Sequence, residues 1–165
     1  MPAGPFFFKD PISLTLAADQ RFAPLDSEID AVWQLSLEPH KALAIETSFG
    51  LQAQKFSLFP VFLINHRPVW IINDFFSHPR IDEIYSNYAR LACTPTAGFQ
   101  ARYELWVESS TSLLCRFALQ NLTDAKAMLG IQAVAELFPL EGTAGMTPAV
   151  LQHQPYLWGR SGNLY

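Results

Sequence analysis

Hydrophobic and polar positions alternate most regularly over residues 101–138, where the pattern defines three strands with two short connections. Tyr103, Leu105 and Val107 fall on one face of the first strand, and Arg102, Glu104, Trp106 and Glu108 on the other. Side chains alternate across a strand with a period of two, so this strand is half-buried with one polar face. Ser109, Ser110 and Thr111 supply a turn. Leu113, Cys115, Phe117 and Leu119 then oppose Leu114, Arg116 and Ala118. Residues 121–126 (NLTDAK) favour a second turn, because Asn and Asp bond their own backbone. In the third strand Leu129, Ile131, Ala133, Ala135 and Leu137 face away from Met128, Gln132, Val134 and Glu136. Short connections imply antiparallel neighbours, which makes this unit a β-meander.

The same pattern runs through the rest of the chain. Residues 1–10 read as an N-terminal arm that Phe6, Phe7 and Phe8 could dock onto a core. Ile12, Leu14 and Leu16 mark a short strand, residues 19–27 a loop, and Ile29, Ala31, Trp33, Leu35 and Leu37 a strictly alternating strand. Residues 38–41 break it. Leu43 and Ile45 open a strand that ends at Gly50, and residues 52–64 continue extended, with Pro60 suggesting an edge or a bulge because proline donates no ladder bond. Residues 65–68 form a tight turn and residues 69–72 return as a strand. Over residues 80–90, Ile81, Ile84, Tyr85 and Tyr88 have helical spacing, which predicts a short helical segment. Residues 139–148 are a Gly- and Pro-rich loop, and the tail holds one further strand. The sum is an all-β chain: an antiparallel two-sheet β-sandwich of roughly eight to ten strands. Residues 11–165 form a single domain, read as a fragment of a longer multidomain protein.

Composition adds two points. Half of the 165 residues are hydrophobic and only 16% are charged, against about 25% in an average domain. The surplus apolar surface fits either a partner outside this sequence or two well-filled sheet faces. A net charge of −4 without a basic run argues against nucleic acid and acidic membranes. Cys93 and Cys115 have no metal-ligand spacing and read as two buried thiols. No apolar run approaches the ~18 residues of a spanning helix, and the first ten residues lack a secretory pattern. The default expectation is a cytoplasmic protein without a membrane partner.

Catalytic chemistry finds little support. Glu104, Glu108 and Glu136 sit in strand patterns that a solvated sheet face explains, although glycoside hydrolysis would need two facing carboxylates. His40, His66, His78 and His153 are scattered over turns without metal-ligand spacing. No GxSxG elbow, Walker loop or GxGxxG loop is present, and EGTAG reads as a turn. Asn121-Leu122-Thr123 matches a glycosylation acceptor, for which the turn reading suffices. We therefore expect no catalytic residue, metal ligand or cofactor. Aromatic side chains remain. Trp33 and Trp70 read as core, whereas Trp106 shares its face with Arg102 and Glu104 and is either an exposed platform or a contact for another domain. Trp158, flanked by glycine, could do either or could pack on the core. Trp106, Arg102, Glu104, Trp158 and Trp70 are thus the candidates for glycan or domain contact.

Three stretches together resemble the N-terminal β-sandwich (supersandwich) domain of glycogen-debranching amylo-α-1,6-glucosidases and related glycoside hydrolases. They are Glu46-Thr47-Ser48-Phe49-Gly50 followed by KFSLFPVFL, then RYELWVESSTSLLCRFALQNLTD, then Leu137-Phe138-Pro139 with its Gly-rich loop. The likeness covers roughly residues 42–165. In that family the catalytic carboxylates lie on an (α/α)6 barrel that this chain lacks. The resemblance implies a non-catalytic accessory sandwich that packs on such a C-terminal catalytic domain and contributes to glycan binding. The alternatives are an autonomous carbohydrate-binding module, and a structural sandwich that forms homo-oligomers through apolar surface.

Overall fold

The structure is a computed structural model and describes residues 11–17, 32–47, 53–109, 112–139, 147–151 and 154–158. The arm at residues 1–10 and the start of the strand expected from Ile29 lie outside the described residues. The strands in chain order are β1 (Ile12–Leu16), β2 (Trp33–Leu37), β3 (Ala44–Thr47), β4 (Ala53–Ile64), β5 (Arg67–Val69), β6 (Ser77–Tyr85), β7 (Tyr88–Thr96), β8 (Phe99–Ser109), β9 (Ser112–Asn121), β10 (Leu129–Pro139), β11 (Thr147–Leu151) and β12 (Gln154–Trp158). They form a six-stranded sheet, β1-β2-β3-β4-β10 with β5 beside β4, and a four-stranded sheet, β6-β7-β8-β9. All pairings are antiparallel, and β11 and β12 make a separate hairpin. The all-β two-sheet sandwich expected from the pattern is observed.

One apolar face of each sheet supplies the core. Leu16, Trp33, Leu35, Ile45 and Phe62 come from the six-stranded sheet, and Leu91, Tyr103, Leu105 and Val107 from the four-stranded one. Each fully buried leucine here contributes about 1.5–3 kcal/mol of transfer free energy. Aromatic pairs tighten the packing. Tyr103 stacks on Phe117 at 4.6 Å, Trp33 meets Phe56 edge-on at 6.3 Å, and Phe62 meets Phe75 at 6.0 Å. Strand β8 alternates buried and outward positions along its length as its sequence predicts.

Four expectations are corrected. The three strands over residues 101–138 do not form a meander, because β10 leaves β9 and pairs with β4 from Leu129↔Ile64 to Pro139↔Ala53. The chain turns after β9 as expected, with the Thr123 N–H donating to Asn121 Oδ1 at 2.9 Å, but the connection over residues 122–128 crosses to the other sheet. At one end the Leu122 N–H donates to the Gly98 carbonyl at 2.8 Å, and the Asn121 amide donates to the Ala125 carbonyl at 2.7 Å. At the other end the Asn65 N–H donates to the Met128 carbonyl and the Met128 N–H to Asn65 Oδ1. Such a link spans the ~10 Å between stacked sheets.

The helical segment expected over residues 80–90 is instead the β6–β7 hairpin. A register shift between Ile81 and Glu83 inserts one residue, so Ile81 and Ile84 oppose Leu91 and Ala89 on the same side of the sheet. A β-bulge thereby imitates a helical spacing of three. Residues 69–72 do not continue as a strand. Beyond Val69 there is one bridge, Ala42↔Ile71, and then a 3-10 turn over Ile72–Asp74. Pro60 lies neither on an edge strand nor at a bulge. It sits opposite Ala133 and between the stretches of β4 that pair with β3 and β5, so on that side no strand asks it for a donor.

Two cysteine thiols are free, Cys93 buried and Cys115 partly buried. They stand opposite Ala101 and Leu105 of β8 respectively, which separates them by about 13 Å along the strand direction alone, too far for a disulfide. Burial pushes the Cys93 thiol from 9.0 up to about 12, and Cys115 up to about 11. Burial likewise raises the Tyr103 hydroxyl, which lacks a hydrogen bond of good geometry.

Two predictions follow from this packing. Gly98 has φ +82 and an added Cβ would run into the Thr123 methyl, so Gly98→Ala should cost about 2 kcal/mol or more. Combining it with Thr123→Ser should return the steric part and leave about 1 kcal/mol of backbone strain, read by urea denaturation. Second, the unfolded chain releases its thiol protons before the folded one does. Stability is therefore whole below about pH 9 and declines as pH rises toward 12. Cys93 alone accounts for roughly 4 kcal/mol of that decline at 1.36 kcal/mol per pH unit, so Cys93→Ala should visibly flatten the alkaline limb of the stability profile.

Candidate functional site

The outward face of the four-stranded sheet gathers an aromatic strip and a charged row. Strand register places Tyr85 beside Tyr88, Tyr88 beside Trp106, and Trp106 beside Leu114. Tyr85 and Tyr88 lie 6.1 Å apart, and Tyr88 meets Trp106 at 5.8 Å with the rings inclined by 73°. The strip stays open to solvent, with Trp106 55% and Leu114 54% exposed. A shallow pocket of about 250 Å³ lies against Trp106 and Leu114, with Glu104 and Arg116 on its rim.

Two residues further along each strand, on the same face, the charges alternate across the sheet: Glu83, Arg90, Glu104, Arg116. Arg90 Nη1 lies 3.0 Å from Glu83 Oε2, and Arg116 Nε lies 3.6 Å from Glu104 Oε2. Cross-strand pairs of this kind contribute a few tenths of a kcal/mol up to about 1 kcal/mol, and the second, with Arg116 well exposed, sits at the low end. The Tyr85 hydroxyl donates to Glu83 Oε1 at 2.9 Å, and that bond raises the tyrosine above its ordinary range. Burial, then the nearby Glu104 carboxylate, raises Tyr88.

Arg102 occupies the next row between Ala92 and Ala118. No carboxylate among the described residues pairs with it. Arg80 flanks the same row and is held by Asp82 at 2.7 Å. Four of the chain's seven arginines, Arg80, Arg90, Arg102 and Arg116, therefore leave from one face.

The five candidates from the sequence do not converge. Trp106, Arg102 and Glu104 share this face. Trp70, expected in the core, is 39% exposed and stands on the outward side of the six-stranded sheet, because the chain leaves β5 just before it. Trp33 is core, as read. Trp158 belongs to β12, and its side chain lies outside the described residues. Tyr85, Tyr88, Glu83 and Arg90 are not among the sequence candidates, because the helical spacing over residues 80–90 conceals the hairpin that places them here. The available signal was Ser86-Asn87 between two tyrosines, a two-residue hairpin loop.

Glu83 and Glu104 are each engaged by an arginine, and no group of three or more His, Cys, Asp or Glu among the described residues could hold a metal ion. Tyr88 and Trp106 stand nearly edge to face, which excludes a coplanar pair for stacking on a long flat ligand. Nor is any helix among the described residues long and apolar enough to cross a membrane. No protein-family model matches the chain, and neither a curated protein nor a solved structure matches it.

Proposed function

We propose that this chain is a non-catalytic accessory β-sandwich that works by packing the outward face of its four-stranded sheet against another folded domain. The observation that carries this reading is the strip Tyr85–Tyr88–Trp106–Leu114, open to solvent beside a row of alternating Glu and Arg. Trp, Tyr and Arg dominate the energetic centres of protein interfaces, and a strip of this kind in water is the sort of apolar surface that marks a contact site. The strip also runs out to β9, which ends the four-stranded sheet. No strand among the described residues pairs with that edge of β9, and an edge of that length invites cover by a partner.

Resemblance in sequence makes the helical barrel of a glycoside-hydrolase-like parent chain the first partner to try, with glycan contact from the same face as a secondary contribution. Self-association through the strip is the rival within the same reading. An autonomous carbohydrate-binding module is less well served, because the 73° angle between Tyr88 and Trp106 breaks up a flat platform.

A photo-crosslinking amino acid at position 106, in the chain expressed in its native cellular setting, should give one discrete protein adduct. The same probe at Ser13, exposed on β1, should give little. Leu114→Glu should cut the adduct roughly tenfold, a loss of about 1.4 kcal/mol, without moving the melting temperature by more than a few degrees. Equal labelling from positions 106 and 13 would contradict the proposal. An adduct with a second copy would assign the surface to homo-oligomers. A saturable fluorescence response to maltooligosaccharides that is lost in Trp106→Ala would shift the reading to the carbohydrate-binding module.

A further inference from the structure

On the opposite side of the sandwich the outward face of the six-stranded sheet contains a groove of about 210 Å³. We propose that this groove is a binding site for a small, neutral, polyhydroxylated ring, of the size of one sugar residue. It shares no residue with the packing surface above and stands independently of it.

Small side chains create the hollow. Ser36 and Ala44 are cross-strand partners on β2 and β3, and Ala42 and Ser57 continue the floor. Trp70 forms one wall. Its position is fixed by the backbone around it. Ile71 bridges Ala42, the Ile72 N–H donates to the Lys41 carbonyl at 3.0 Å, and the Asn73 N–H donates to the Pro39 carbonyl at 2.8 Å. The Asn73 amide and the His40 ring nitrogen, 3.1 Å apart, close the same clamp from the side chains. The backbone that carries the indole is therefore fixed before any ligand arrives, which reduces the ordering cost of binding.

The polar groups of the groove determine the ligand class. Lys55 Nζ lies 2.9 Å from Glu46 Oε1, which also accepts from Ser57 Oγ at 3.3 Å. Lys41 Nζ lies 2.8 Å from Glu38 Oε1, which accepts from Ser36 Oγ at 3.1 Å. Each ammonium is thus already matched by a carboxylate, and an anion entering the groove would have to break a formed pair. Glu136, opposite Ser57 on β10, is engaged by no bond among the described residues and offers two acceptor oxygens. An indole face beside fixed acceptors and donors is complementary to a ring with an apolar C–H face and hydroxyls around its rim. The volume is below the roughly 300–1,000 Å³ of sites for drug-sized ligands, which limits the occupant to a single ring. Affinity for so small a ligand should be weak, with a dissociation constant on the order of 1 mM.

Ligand-observed NMR with neutral monosaccharides and cyclic polyols, alongside choline as a cationic probe, tests this on the whole chain. The expected result is saturable binding of at least one neutral ring. Trp70→Ala and Glu136→Gln should each weaken it tenfold or more, and Trp106→Ala should leave it unchanged. Glu136→Gln changes an exposed side chain and guards against a folding defect in Trp70→Ala. Binding of choline without any neutral ring would overturn the assignment, as would saturable sugar binding that survives both groove variants. No binding of any probe at tens of millimolar would overturn it too. Loss of sugar binding in Trp106→Ala alone would place the ligand on the other face and count against both this inference and the packing role.

Discussion

The ladder between β10 and β4 holds the last long strand on the six-stranded sheet, and the remaining architecture depends on where that strand goes. Had β10 continued beside β9, the four-stranded sheet would gain a fifth strand and the six-stranded sheet would lose its far edge. Instead the chain crosses between the layers at residues 122–128, tied to Gly98 at one end and Asn65 at the other. The crossing leaves β9 at the end of its sheet. There its core-side residues Leu113, Cys115, Phe117 and Leu119 are only partly buried, while Leu114 extends the aromatic strip outward.

That division gives the two outward faces different chemistry. On the four-stranded sheet aromatic and arginine side chains stand on an open surface, where area and a few anchoring residues decide affinity. On the six-stranded sheet serine and alanine leave a depression whose two ammonium groups are already paired. An open face with anchors suits a folded partner, whereas a small hollow with spare acceptors suits a small ligand rich in hydroxyls. Both proposals are about binding.

Much of this was legible in the sequence wherever one face of a strand is buried and the other is wet. The faces of β8 and β9, the burial of Trp33 and the exposure of Trp106 all follow from alternation. Alternation fixes which way a side chain points and leaves open which strand lies next door, so the pairing of β10 could not be read. At Ile81 and Ile84 a single inserted residue changed the period, and the resulting helical spacing hid Tyr85 and Tyr88 from the candidate site. Trp70 departs from its expected place in the core for a related reason. The run Val69-Trp70-Ile71-Ile72 is apolar throughout, but only Val69 belongs to a strand, and the bridge and turn that follow put the indole outside.

The most direct test is the placement of β10, since the free edge of β9 and the separation of the two faces both rest on it. Paired cysteines at Val61 and Gln132, cross-strand partners on β4 and β10, would be introduced in a background with Cys93 and Cys115 replaced by alanine. A pair at Leu114 and Gln132 would serve as the alternative, and both would be oxidised and scored by mass spectrometry. The account predicts a disulfide in the first pair, formed without loss of the folded state, and none in the second. Efficient closure between positions 114 and 132 in the folded protein would contradict it.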